Sequence, residues 1–186
     1  MALQLHPGLR LNTQAWDGVK LTPSNRRMAA IMDEIGPAVL GRAVAIHEAG
    51  HAVIGLVTGH HISELRLTGN GLNHGQTSWT RGPDTSLEDH LVMVAAGLAA
   101  QVRWLRELRA SRQVLAYVER QADGDQEHAR LVVRDYGLDR DVLRRAERRA
   151  SELLTPHWKR IDELAYRLDL DNIVTGERTI RRIVGM

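Results

Sequence analysis

The chain of 186 residues contains no cysteine. Disulfides and thiolate metal sites are therefore excluded, and the composition fits a reducing compartment such as the cytoplasm. Charge of one sign is also scarce: 25 Lys and Arg stand against 23 Asp and Glu, a formal net charge of +2. The arginines are interspersed with acids, as in "DRDVLRRAERRASE". That pattern reads as solvated helix faces, so no nucleic-acid partner is expected. No run approaches 18 apolar residues, so no membrane-spanning helix is expected either. The opening "MALQLHPGLRLNTQAW" lacks a basic start followed by an apolar stretch, the mark of a secretory signal. Internal repeats and low-complexity segments are absent.

What is present supports one core, since 43% of the residues are apolar. Residues 1–22 carry Pro7, Gly8 and Gly18 without a period and read as an arm. A first helix opens after Thr22 or Ser24 and stops at Gly36-Pro37. The expected division is 1–37, arm and first helix, and 38–186, the main domain. A second helix is expected from about Ala38 to Thr58, with Gly59 past its end. "ISELRLTGNGLNHGQTSWTRG" then changes period and reads as a β-hairpin turning at Gly69-Asn70-Gly71. Thr85 and Glu88 form a capping box for a long apolar helix rich in Ala and Gly. Asp123-Gly124 reads as a turn before a short helix from about Asp125 to Tyr136. A helix follows through Leu153. Thr155-Pro156 is expected to restart another, and "VTGERTIRRIV" to form a last one. The fold class is thus mainly α with a small β-hairpin or sheet beside the second helix.

That second helix contains "AVAIHEAGHAVIG", residues 43–55. Ionisable groups in an apolar helix cost several kcal/mol unless something compensates them. Residues i and i+4 share one helix face, so His47 and His51 can both reach one ion. Glu48 then lies beside that ion, at hydrogen-bond distance from a water on it. This is the H-E-x-x-H arrangement of two zinc ligands and a general base for peptide hydrolysis. The neighbours Val44, Ala45, Ile46, Ala49, Gly50, Ala52 and Val53 would keep such a site dry. A catalytic zinc needs a third protein ligand. His60 and His61 read as the far end of the same helix, His74 lies in the hairpin, and the acids of "ADGDQEHA" open a later helix.

"AIHEAGHAVIGL" resembles the zinc motif of the peptidase domain of FtsH-type AAA+ membrane proteases. Other segments resemble that family in the same order. "ISELRLTGNGLNHGQTSW" is similar to its strand pair, with Gly75 and Thr77 at the family's glycine-x-threonine. "MVAAGLAAQVRWL" is similar to its G-R-A-A-E-E helix, and "GDQEHARLVVRDYGL" to its acidic helix start. The C-terminal helices include the family's late T-G-E. The resemblance spans about residues 40–185. It implies a zincin-like helical metallopeptidase that binds Zn2+ and hydrolyses flexible or unfolded polypeptide. It places the third ligand on Asp125, with Asp123 as competitor, and substrate contacts at Gly75 and Thr77. Three departures stand out. The helix after the aspartate is about a turn shorter, and Leu98, Gln101 and Val102 replace the family's arginine and glutamates. No G-x-x-x-x-G-K-[ST] or membrane helix is read, so the expected enzyme works without ATP, alone, as a homo-oligomer or with a separate ATPase. The altered segment also allows a metal-binding interaction module without turnover.

Overall fold

A computed structural model describes residues 30–186 apart from 32, 69–73 and 140. The arm expected over 1–22 and the Gly69-Asn70-Gly71 turn lie outside the described residues. Residues 33–35 end a helix at Gly36, whose φ of +82° reverses the chain into helix α1, Pro37–Val57. The order continues β1 (His60–Thr68), β2 (His74–Arg81), α2 (Leu87–Glu107), α3 (Arg112–Gln121) and α4 (Asp123–Asp135). It ends with α5 (Asp141–Asp171), β3 (Ile173–Thr175) and α6 (Glu177–Val184). The protein is mainly helical with one antiparallel sheet, ordered β2-β1-β3. Among the described residues no helix is long and apolar enough to cross a membrane.

Helix α1 is the centre of the molecule. It is apolar around most of its circumference, and a helix of that kind must be enclosed. Helices α2 and α5 and the sheet enclose it. Close approach of α2 depends on small residues: a Cβ added at Gly50 would stand 2.8 Å from the Ala96 carbonyl oxygen and 2.9 Å from the Ala100 Cβ. Arg42 ties α1 to α5 through Asp162 at 2.5 Å and Asp169 at 2.9 Å.

Strand β1 buries His60 and Ile62, then Leu65. Strict alternation would send Leu65 to the other face. The register shift between Ile62 and Glu64 inserts one residue and resets the phase, so both apolar side chains face α1.

Several expectations change. His60 and His61 begin β1 rather than ending α1. The cap of α2 is Ser86, whose hydroxyl accepts from the Asp89 N–H; the Thr85 hydroxyl instead donates to the Gly59 carbonyl at 2.9 Å. Asp123-Gly124 is the first turn of α4, not a loop, and α3 precedes it. Pro156 lies inside the continuous helix α5. Thr155, Pro156 and Glu152 are exposed, so the carbonyl that the proline leaves unpaired meets water. The buried stripe Ala146, Ala150, Leu154, Ile161, Leu164, Ala165 and Leu168 continues across it and favours one unbroken helix.

Two glycines test this packing. Gly50→Val should destabilise the protein by about 1–3 kcal/mol through overpacking against α2. Gly124→Ala, with open space around it, should gain up to about 1 kcal/mol of helix propensity. Urea denaturation of both variants measures this, and equal effects would contradict the packing described.

Candidate metal centre

Helices α1 and α2 run antiparallel with matched one-turn ladders. His47 and His51 recur at i and i+4 on α1. Met93, Gly97 and Gln101 recur at i, i+4 and i+8 on the facing side of α2. His51 Nδ1 lies 2.9 Å from the Met93 carbonyl oxygen, and His47 Nδ1 lies 3.1 Å from Gln101 Oε1. Both oxygens accept, so each Nδ1 carries the donating proton. In the neutral rings both Nε2 atoms are then bare lone pairs. Gly97 stands between them, because an added Cβ would collide with both Nε2 atoms.

The two Nε2 atoms converge at 3.0 Å. Asp125, in the first turn of α4, places Oδ2 at 2.9 Å from His47 Nε2 and 3.1 Å from His51 Nε2. Three acceptor atoms facing one point repel one another unless a cation lies among them. Ligands bound to zinc at about 2.0–2.1 Å with tetrahedral angles are about 3.3 Å apart, close to this triangle. The His47, His51 and Asp125 group can therefore hold a metal ion. Its nitrogen and oxygen donors suit zinc and several other first-row ions. Asp123 is not in the group, and neither are His60 and His61. Two residues along a helix turn a side chain by about 200°, so Asp123 and Asp125 cannot share one target.

The charges agree. Burial disfavours a charged His51, but the adjoining Asp125 carboxylate outweighs it and raises the imidazole to about 9. Burial also works to raise Asp125, yet His51 and His47 hold its carboxyl well below the usual range. A proton on His51 thus serves as the cation when no metal does.

Glu48 is buried one residue beyond His47. The Thr77 hydroxyl, 2.7 Å from Glu48 Oε2, donates to that carboxylate; it also lies 3.1 Å from the Glu48 carbonyl oxygen. Gly75, on the same face of β2, leaves room for the acid, since a Cβ there would strike its carboxylate.

Helix α4 has no fully buried residue; it is held by the half-buried Ala129, Val132 and Val133 against the core and by polar contacts. One is His128, a turn beyond Asp125, with Nε2 at 2.8 Å from His90 Nε2. His90 Nδ1 continues to His60 Nε2 at 3.3 Å, and His60 Nδ1 to the Thr58 hydroxyl at 3.2 Å. Burial, then the neighbouring His128 and His60, push His90 down to about 4. It is neutral at neutral pH and fastens α4 to α2 by a hydrogen bond.

Sequence reasoning missed the supporting parts played by Met93, Gly97 and Gln101. Gly97 and Gln101 act through their side-chain type, whereas Met93 acts through its main-chain carbonyl, which no residue pattern marks. Gln101, noted as a departure, here orients His47. No family model matches the chain, and a comparison with curated proteins finds no match.

Gly97→Ala should abolish stoichiometric metal binding while the protein remains folded, as metal analysis and circular dichroism would show. Full occupancy in the variant would contradict the ladder. A second prediction follows from His51. Below its ordinary value of 6.5 the ring is protonated in folded and unfolded chains alike, so its pairing with Asp125 contributes fully; the contribution is lost as pH rises through about 9. Asp125, depressed on folding, adds stability above the usual carboxylate range that is lost in acid. Chelator-stripped protein should therefore melt at falling temperatures between pH 6.5 and 9, whereas metal-loaded protein should not. Parallel pH profiles for the two forms would count against this account.

Proposed function

We propose that the protein is a zinc-dependent peptidase acting on flexible or unfolded polypeptide. The observation that carries the reading is the position of Glu48. It follows a ligand histidine directly, lies beside the three-donor centre, and is held by Thr77 from the neighbouring strand. A structural zinc is ordinarily closed by four protein ligands, and three donors leave one position for water. The ion supplies Lewis-acid polarisation of a carbonyl and lowers the pKa of a nearby water. Glu48 accepts the proton of the attacking water and returns it to the leaving amine nitrogen. Thr77 keeps the carboxylate aimed by donating to Oε2, which leaves Oε1 for that work.

Strand β2 is an edge of the sheet among the described residues. It passes over Glu48 through Gly75 and Thr77. An extended peptide paired with that edge would run past the metal centre, held main chain to main chain. This favours flexible segments and low sequence specificity. The ordered resemblance to FtsH-type peptidase domains supports the same reading, including the zincin-like fold and a third ligand at Asp125. Gln101, accepting from His47, does the orienting expected of an acid at that place in the helix. The altered segment is thus no argument for loss of turnover.

Glu48→Gln should retain about one zinc per chain and lose hydrolysis of an unfolded protein by about 10²–10⁴-fold. Metal analysis beside a casein-type cleavage assay measures both. Undiminished cleavage by the variant would remove Glu48 from its role.

A further inference from the structure

Beside the metal centre stands a second group of histidines with no part in the proposed chemistry. His60 on β1, His90 on α2 and His128 on α4 form a line. The Trp79 ring borders all three, with centroids 5.7, 4.6 and 6.1 Å away. Trp79 follows Gly75 and Thr77 on one face of β2, so the strand that holds Glu48 also covers this line. The protons in the line have one direction. Thr58 commits its hydroxyl proton to the Ile54 carbonyl oxygen at 2.9 Å, so toward His60 Nδ1, at 3.2 Å, it can only accept. Burial lowers both His60 and His90, so at neutral pH each ring carries one proton. With that proton on His60 Nδ1, its Nε2 is bare and accepts from His90 Nδ1. His90 Nε2 is then bare in turn and accepts from His128 Nε2. The line ends on a main-chain carbonyl, which has no proton to pass on. It is a brace and not a proton path.

The last donor of the line sits three residues from Asp125, on the neighbouring face of α4. The apolar contacts of that helix, Ala129, Val132 and Val133, lie beyond His128, and apolar contact has no preferred direction. A turn of α4 by about 20° about its own axis would carry the end of the Asp125 side chain by about 2 Å. Ligand distances tolerate only about 0.2 Å. No side chain caps the start of α4, and the bond from Gln126 to the Glu119 carbonyl is exposed to water. The 2.8 Å hydrogen bond from His128 to His90 is shielded by Trp79 and directional, so it resists that turn. His90 shares its face of α2 with Met93, Gly97 and Gln101, so one helix face serves both histidine ligands and, through α4, the carboxylate. From this arrangement we infer that His128, braced by His90, His60 and Thr58, is a positioning residue that sets Asp125 at the metal centre. The role rests on the proposed metal-dependent reading of that centre and adds to it the device that places its third ligand.

Zinc affinity of the full chain, measured by competition with a chromophoric chelator, tests this without turnover. His128→Leu keeps apolar bulk but removes the donor, and should weaken zinc binding by about tenfold or more. His128→Gln, whose amide N–H can still donate to His90, should recover most of that loss. In an Asp125→Asn background His128→Leu should have little further effect, because the group it positions is gone. If circular dichroism shows that the leucine variant does not fold, His128→Ala takes its place. Nitrogen-15 NMR of the imidazoles of wild type reads the line itself: His60 and His90 should carry their protons on Nδ1 and His128 on Nε2. Unchanged affinity in His128→Leu, an equal loss in the Asp125→Asn background, or the opposite tautomer at His90 overturns the role of His128 and leaves the centre standing. Wild type that takes up no zinc overturns both. Zinc binding that follows the expected pattern without cleavage by wild type would keep the role and remove the hydrolytic reading.

Discussion

Two imidazole nitrogens held 3.0 Å apart, each with its proton committed to the far side of its ring, are the constraint around which this protein is arranged. Bare lone pairs at that distance repel. The Asp125 oxygen brings a third acceptor and a negative charge, which makes the point between them a strong cation site. The rest of the central packing serves this convergence. Gly97 gives the rings room, Met93 and Gln101 fix their tautomers, and Gly50 lets α2 approach closely enough for those hydrogen bonds to form. Deeply buried ionisable groups would ordinarily be a liability. Here each has a specific partner, and the remaining imbalance is one that an ion corrects.

The three donors come from elements of unlike stability. His47 and His51 stand on the enclosed helix α1, whereas Asp125 stands on α4, which buries no residue completely. A metal ion held by all three would link the enclosed helix to a peripheral one. The His128–His90 contact holds α4 against α2 beside the centre.

The parts legible in sequence were those governed by local rules. The length of α1, the hairpin and the H-E-x-x-H spacing depend on periodicity within one segment, and Gly59 past the end of α1 takes the expected positive φ of 90°. Where tertiary contacts competed with a local signal, the signal lost. Thr85 looked like a cap, but its hydroxyl is drawn to Gly59 and Ser86 takes the cap. Asp123-Gly124 looked like a turn, but the chain enters α4 there. Pro156 looked like a boundary, but a buried stripe on both sides kept α5 whole. The three-residue strand β3 has no pattern long enough to read and exists by pairing with β1. At the centre, sequence spacing gave the pair on α1 and left Asp123 and Asp125 in competition. Only the three-dimensional position of α4 brings one of them, Asp125, to the histidines.

The centre is defined by its ligand set. X-ray absorption at the zinc edge of stoichiometrically loaded protein measures it most directly. Two imidazole nitrogens and one carboxylate oxygen should appear at about 2.0–2.2 Å, with the remaining position filled by a water-type oxygen. A spectrum with one imidazole or none would contradict the centre described.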